Sequence, residues 1–252
     1  MNDQQHEFEK YDFFRSDRFV NDPYSYFDYL REQSPVLREP HQGIVINLPE
    51  LRLYDYSASG PPRSFPLGIG GEGKETPLGR TQVARKTANP TWYPTKSEHE
   101  EDPDLPAVVP PGPDNPMGEL AIYLAWKGYA IHGTNKPYSI GRRDSHGCIR
   151  MLPEDVAVLY KLVGPGTPVT VVDQPVKLGW SGGELFLEVH PTQRDVDDIE
   201  ETGRPSLLVV PDIERMVMET AKADAARVDW YTVGLVAQKR TGIPVQITQP
   251  FR

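Results

Sequence analysis

The 252-residue chain carries 36 acidic and 27 basic residues, a formal net charge of -9, which argues against a nucleic-acid partner. A composition 38% hydrophobic and 25% charged suits a globular protein of one or two domains, and 26 prolines predict long loops. No apolar run reaches the length of a membrane span, and a single cysteine excludes an internal disulfide and a zinc knuckle built on CxxC pairs.

Residues 1–42 read as a helical preface. "MNDQQHEFEKYDFF" has neither the basic start nor the apolar core of a secretory signal, so none is expected in the chain as given. Asp22 and Pro23 can open a helix with Tyr26, Phe27 and Leu30 on one face, and Pro35 stops it. From Gly43 the pattern changes. "IVINLPELRLYDY" holds two alternating apolar runs around a Pro-Glu turn and predicts a hairpin. "SFPLGIG" and "TQVARKTA" continue as strands around the loop "GGEGKETPLG". That loop lacks a following helix and the lysine-hydroxyl pair of a phosphate loop, and reads as a β-connection.

Residues 87–118 contain eight prolines and are too long for an ordinary connection, which predicts a lid, a binding loop or a disordered segment. "LAIYLAWKGYAIHGT" returns to strands with a turn at Lys127-Gly128. "PEDVAVLYKLVGPG" is a helix, with Pro153 in its first turn and Val156, Leu159, Tyr160 and Val163 as its buried stripe. "TPVTVV" and "ELFLEVH" are strands. Residues 191–252 form a helical extension, with helices in "DIERMVMETAKADAA" and "VDWYTVGLVAQKRTG", the second capped by Asp229.

The one cysteine, Cys148, stands in "DSHGCIR", two residues after His146. Lys136, Arg142, Arg143 and Arg150 form a basic island around it in an acidic protein, against a single Asp144. Positive charge or an imidazolium stabilises a thiolate and lowers its pKa to roughly 3.5–7.5, which would make Cys148 a nucleophile. The same charge would orient a carboxylate-bearing substrate. Gly133 and Gly147 allow close approach of a substrate, and the Gly147 and Cys148 N–H groups are candidate oxyanion donors. His132 ends a different strand, in "YAIHGT", and is the preferred base. A main-chain carbonyl near Gly133 is the candidate to orient its ring. His146 is assigned to holding the loop, with a part in substrate binding. Arg150 either meets a substrate carboxylate or pairs with an acid such as Glu154 or Asp155.

"HGTNKPYSIGRRDSHGCIRM" resembles the active-site signature of the L,D-transpeptidases, the YkuD-type catalytic domain: His132-Gly133-Thr134, then Ser145-His146-Gly147-Cys148, then Ile149-Arg150. The resemblance runs from about Gly43 to His190, which sets domains at 1–42, 43–190 and 191–252. It implies a mostly β fold, a sandwich or flattened barrel with one helix after the catalytic loop. It implies Cys148 and His132 as catalytic residues, and Gly133, Ser145, His146, Gly147 and Arg150 around the substrate. The implied partner is the peptidoglycan stem tetrapeptide, with a wall-linked lipoprotein as a second acceptor, no metal or organic cofactor, a periplasmic or cell-wall location, and acylation of the thiol by carbapenems. Separately, "DPYSYFDYLREQSPV" resembles the N-terminal helix of soluble haem-thiolate monooxygenases, but the haem-ligating cysteine loop of that family has no counterpart.

Three other readings use the same residues. Water instead of an amine would make the protein an L,D-carboxypeptidase. His132, His146 and Cys148 could hold zinc, although the basic island opposes a dication. A non-catalytic wall-binding protein is the third.

Overall fold

Alternating apolar residues from Gly43 onward build the strands that position the site. The computed structural model describes residues 43–57, 62–203 and 212–249. The 1–42 preface, its expected helix and its monooxygenase likeness lie outside them.

The first compact unit comprises, among the described residues, 43–46, 51–57 and 62–172. Its strands are β1 (Ile44–Asn47), β2 (Arg52–Asp55), β3 (Arg63–Pro66), β4 (Ile69–Gly70) and β5 (Gly79–Ala88), followed by β6 (Leu120–Leu124), β7 (Ala130–His132), β8 (Arg143–Ser145), β9 (Ile149–Arg150) and β10 (Pro168–Val172). A short helix α1 (Lys96–Glu101) interrupts the proline-rich connection, and α2 (Pro153–Leu162) follows β9. Eight strands pair in the order β3-β2-β1-β10-β5-β6-β7-β9, and β4 pairs with β8. Gly68, two residues past β3, forms a bridge with Arg150 of β9, so the two ends of the order meet through the chain. This mostly-strand, curled sheet agrees with the expected sandwich or flattened barrel.

One face of this sheet carries the larger core side chains. Val83, Ile122, Ile131 and Ile149 are fully buried, each burial worth roughly 1.5–3 kcal/mol. Helix α2 packs against β6 and contributes Val156 and Leu159. Pro153 stands at its first turn, where a missing N–H costs nothing, with Glu154 and Asp155 at the positive end of its dipole. Lys86 reaches its other end, donating to the carbonyls of Tyr160 at 2.5 Å and Val163 at 2.6 Å.

The second unit comprises, among the described residues, 47–50, 173–203 and 212–249. It contains β11 (Val176–Ser181), β12 (Glu184–Val189), α3 (Gln193–Thr202), α4 (Ile213–Ala221), α5 (Trp230–Lys239) and β13 (Val245–Gln246). The boundary expected near His190 therefore differs from the compact units. Leu185, Leu187 and Val189 of β12 share one core with Ile213 and Val217 of α4 and Val233 and Val236 of α5, so the β11–β12 hairpin groups with the helices that follow it. Asp229 caps α5 as expected, accepting from the N–H groups of Tyr231 and Thr232.

Candidate active site

In β7, Ile131 points to the core, so Ala130 and His132 point to the other face, since successive side chains alternate along a strand. The parallel β7–β9 register pairs Ile131 with Ile149 and His132 with Arg150. Extending it by one residue sets Cys148 opposite Ala130, with His132 on the diagonal of the same face. On β6, Tyr123 pairs with Ala130 and Ala121 with His132. Met117, Ala121 and Ala130 form a small buried cluster there with Trp92, Tyr123 and Cys148 packed on it. The result is a cavity of about 410 Å³ whose walls include Cys148, His132 and Arg150.

The imidazole of His132 is held by its own chain. Its Nδ1 lies 2.6 Å from the carbonyl oxygen of Gly133. A carbonyl only accepts, so Nδ1 carries the proton and Nε2 is left as the basic nitrogen. Burial, with the positive charge of Arg150 adding to it, brings the imidazole down to about 4, against the opposing pull of the Gly133 and Met117 carbonyls. His132 is therefore neutral near pH 7.

Cys148 is half-buried, with Sγ 3.6 Å from the Gly128 carbonyl. Burial pushes the thiol above its ordinary value, and the Ala130 backbone and, to a lesser extent, the Arg150 charge only partly offset this. The expectation of a thiolate at rest is corrected: desolvation outweighs the basic island, and the resting pair is a neutral thiol beside a neutral imidazole.

The turn before Cys148 is tied into the sheet. Gly147 has φ 98°, and a Cβ there would lie 2.9 Å from Cε1 of Tyr129, so the position needs glycine. Its carbonyl accepts from the buried Thr76 hydroxyl at 2.9 Å. Its N–H donates to the Ser145 hydroxyl at 3.2 Å, which itself donates to the Cys148 carbonyl at 2.6 Å. The Gly147 N–H expected at an oxyanion is thus engaged within the turn. Ser145, 3% exposed, closes that turn rather than presenting its hydroxyl to a ligand.

The long connection between β5 and β6 lies over the site, with Thr91, Trp92, Glu98 and Met117 in the cavity wall. A capping box between Thr95 and Glu98 starts α1. His146 turns to this segment. Its Nε2 is 3.0 Å from Glu101 Oε2 and 2.8 Å from Lys74 Nζ, and its Nδ1 is 3.6 Å from Glu98. Lys74 also contacts Glu101, and Lys74 and His146 together hold that carboxyl below the usual range. Behind this, Asn115, fully buried, donates to the carbonyls of Pro90, Val109 and Pro110 and accepts from the Met117 N–H.

Arg150 pairs with Asp144 at 2.7 Å, not with Glu154 or Asp155. Gly133, directly after His132, is crowded: a Cβ there would lie 3.3 Å from Cγ1 of Val156 and 3.4 Å from the Met117 carbonyl oxygen. Cys148 and His132 are thus brought together, with Arg150 beside them, while His146 is drawn to Glu98 and Glu101. The three groups of the zinc reading do not converge. Among the described residues the converging trio is Glu50, Glu188 and His190 in the second unit, and Lys177 Nζ lies 2.6 Å from Glu50 and 2.7 Å from Glu188 there. Sequence reasoning missed Thr76, Lys74 and Tyr129, which nothing local marks. It also missed α1, although "TKSE" spells its capping box.

The family model described as the L,D-transpeptidase catalytic domain, YkuD, matches residues 41–171. The chain is 42% identical over 223 residues to "Probable L,D-transpeptidase ErfK/SrfK" of Escherichia coli (strain K12), covering 84% of this chain and 68% of that protein. It is 48% identical over 157 residues to "Probable L,D-transpeptidase YbiS" of the same strain, covering 60% of this chain and 51% of that protein. The solved catalytic domain of an Enterococcus faecium L,D-transpeptidase is 26% identical, covers 52% of this chain and 96% of that chain, and has a TM-score of 0.41.

Proposed function

This chain belongs to the YkuD family of L,D-transpeptidase catalytic domains, and from that membership we propose that it is a peptidoglycan L,D-transpeptidase with Cys148 as nucleophile and His132 as base. The observation that carries the proposal is the shared face of Cys148 and His132, with the imidazole aimed by the Gly133 carbonyl. As Sγ attacks the L-centre carbonyl of the third stem residue, Nε2 takes the thiol proton, so a neutral pair becomes an ion pair only as the bond forms. The tetrahedral adduct collapses by breaking the peptide bond, and the imidazolium gives the proton to the departing amine of D-alanine. The resulting thioester is attacked by an acceptor amine, which loses its proton to Nε2 and regenerates the thiol.

Gly147 and Ser145 shape the turn that presents the thiol, and His146 ties the overlying segment to it. That cover excludes water and favours amine over water in the second step, which supports transfer over carboxypeptidase activity. A second stem or a lipoprotein lysine supplies the amine, and the reaction belongs to the periplasm or cell wall. Among the described residues no helix is long and apolar enough to cross a membrane. The test is incubation with isolated muropeptides and mass spectrometry of the products. Cross-linked dimers with release of D-alanine support the proposal, and tripeptide alone identifies the carboxypeptidase.

A further inference from the structure

Arg85 and Lys86 are adjacent in β5 yet work on opposite faces of the sheet. Strand β5 carries a bulge against β6: Val83 pairs with Leu124 and Arg85 with Tyr123, so two steps on one strand match a single step on the other. A bulge reverses the parity of the residues after it. Val83 and Lys86 therefore share the core side, where Val83 is fully buried and Lys86 holds the end of α2. Arg85 and Thr87 are delivered to the cavity, and both line it. Without the extra residue Arg85 would face the core with Val83.

In the cavity the Arg85 guanidinium lies 3.5 Å from the centroid of the Tyr123 ring, and Nη1 donates to Thr87 Oγ1 at 2.8 Å. Among the described residues it has no carboxylate partner. Its neighbours in the wall differ: Arg150 is matched by Asp144, and Glu98 is engaged by Thr95. Stacking on an aromatic face pre-organises a guanidinium while leaving most of its planar fork of donors for an anion.

We propose that Arg85 is a specificity-determining residue that binds a carboxylate of the donor stem peptide, remote from the bond that breaks. This rests on the transpeptidase reading. Arg85, Tyr123, Ala130 and Cys148 fall in one transverse row of the sheet. Three strand spacings separate the first and last backbones, about 14 Å, and the guanidinium leans one strand nearer over Tyr123. That is too far for the carboxylate of the leaving D-alanine, one residue of at most ~3.8 Å beyond the scissile carbonyl. It suits the side-chain carboxylate of the diacidic third residue or the free carboxylate of the second.

The test compares the wild-type protein, Arg85→Gln and Arg85→Lys on three tetrapeptides: the free acid, one amidated on the third-residue side chain, and one amidated on the second residue. Arg85→Gln should lower kcat/KM on the free acid by about 10- to 100-fold, chiefly through KM, with Arg85→Lys between. On one amidated peptide, wild type and Arg85→Gln should be equal, and that peptide identifies the carboxylate. Equal activity of wild type and Arg85→Gln on the free acid overturns the assignment, as does the same loss on all three peptides. Thermal melts separate a folding defect, and Arg85→Lys keeps the charge should Arg85→Gln not fold. Turnover by wild type with either overturning result removes Arg85 alone. Wild type inert on all three overturns the transpeptidase reading and this assignment with it.

Discussion

His132 and Arg150 face each other in register across the parallel β7–β9 pair. The cation therefore adds to burial in keeping the imidazole unprotonated down to about pH 4. A base must be neutral to accept the thiol proton, so the rate of acylation by a carbapenem should hold level through pH 6 and fall only toward pH 4–5. Arg150→Gln removes the repulsion and should move this acid limb upward. A limb near the ordinary histidine value in the wild type would show that the ring is not buried in the way described.

The same residue couples pH to stability. Unfolded, the imidazole takes up a proton below its ordinary 6.5, whereas folded it does so only near 4. Between these values unfolding binds a proton, so its contribution is fully present above pH 6.5 and is lost as pH falls toward 4, a difference of about 3 kcal/mol. Urea titrations at pH 7 and pH 5 should show a drop in wild type that is smaller in His132→Gln. Identical drops would remove His132 as the cause.

Gly147→Ala should nearly abolish acylation while the protein still melts cooperatively. The substitution puts a side chain at φ 98° and within 2.9 Å of Tyr129, a backbone strain of about 1–3 kcal/mol that the turn relieves by moving the thiol. Adding Tyr129→Ala clears the contact but not the φ, so rescue should be partial. Full rescue would mean that the clash alone requires glycine.

Asn115→Ala withdraws two donors and an acceptor from the buried hub of the cover. It should cost about 1–3 kcal/mol locally, expose the 90–117 backbone to hydrogen exchange, and raise tripeptide relative to cross-linked dimer. Because α1 buries no residue, the sheet should still unfold cooperatively. An unchanged product ratio with faster exchange would separate the cover from water exclusion.

The strands were legible where one face is core and the other is not. Ile44 and Ile46 recur at the two-residue spacing of a strand, Leu53 lies between Arg52 and Tyr54, and Ile131 lies between Ala130 and His132, and the structure puts those strands where the pattern does. "SHGC" after "HGT" marked the site because the two segments are short and lie on neighbouring strands. What could not be read is what depends on distant chain. The partners of His146, Glu98 and Glu101, lie about 45 residues away and carry no mark in the sequence. The β5 bulge is one residue, Ala84, that any strand could contain, yet it decides that Arg85 faces the cavity. The direction of the thiol's shift was not legible because charge counts are visible in a sequence and desolvation is not.

The central claim is that Cys148 forms the acyl-enzyme. Intact-mass measurement after brief incubation with a stem tetrapeptide tests it most directly. Wild type should gain the mass of the peptide less D-alanine, and Cys148→Ala should gain nothing while binding the peptide and melting normally. An adduct that persists in Cys148→Ala, or its absence from a wild-type protein that releases D-alanine even when acceptor is withheld and the reaction is quenched early, would contradict the claim.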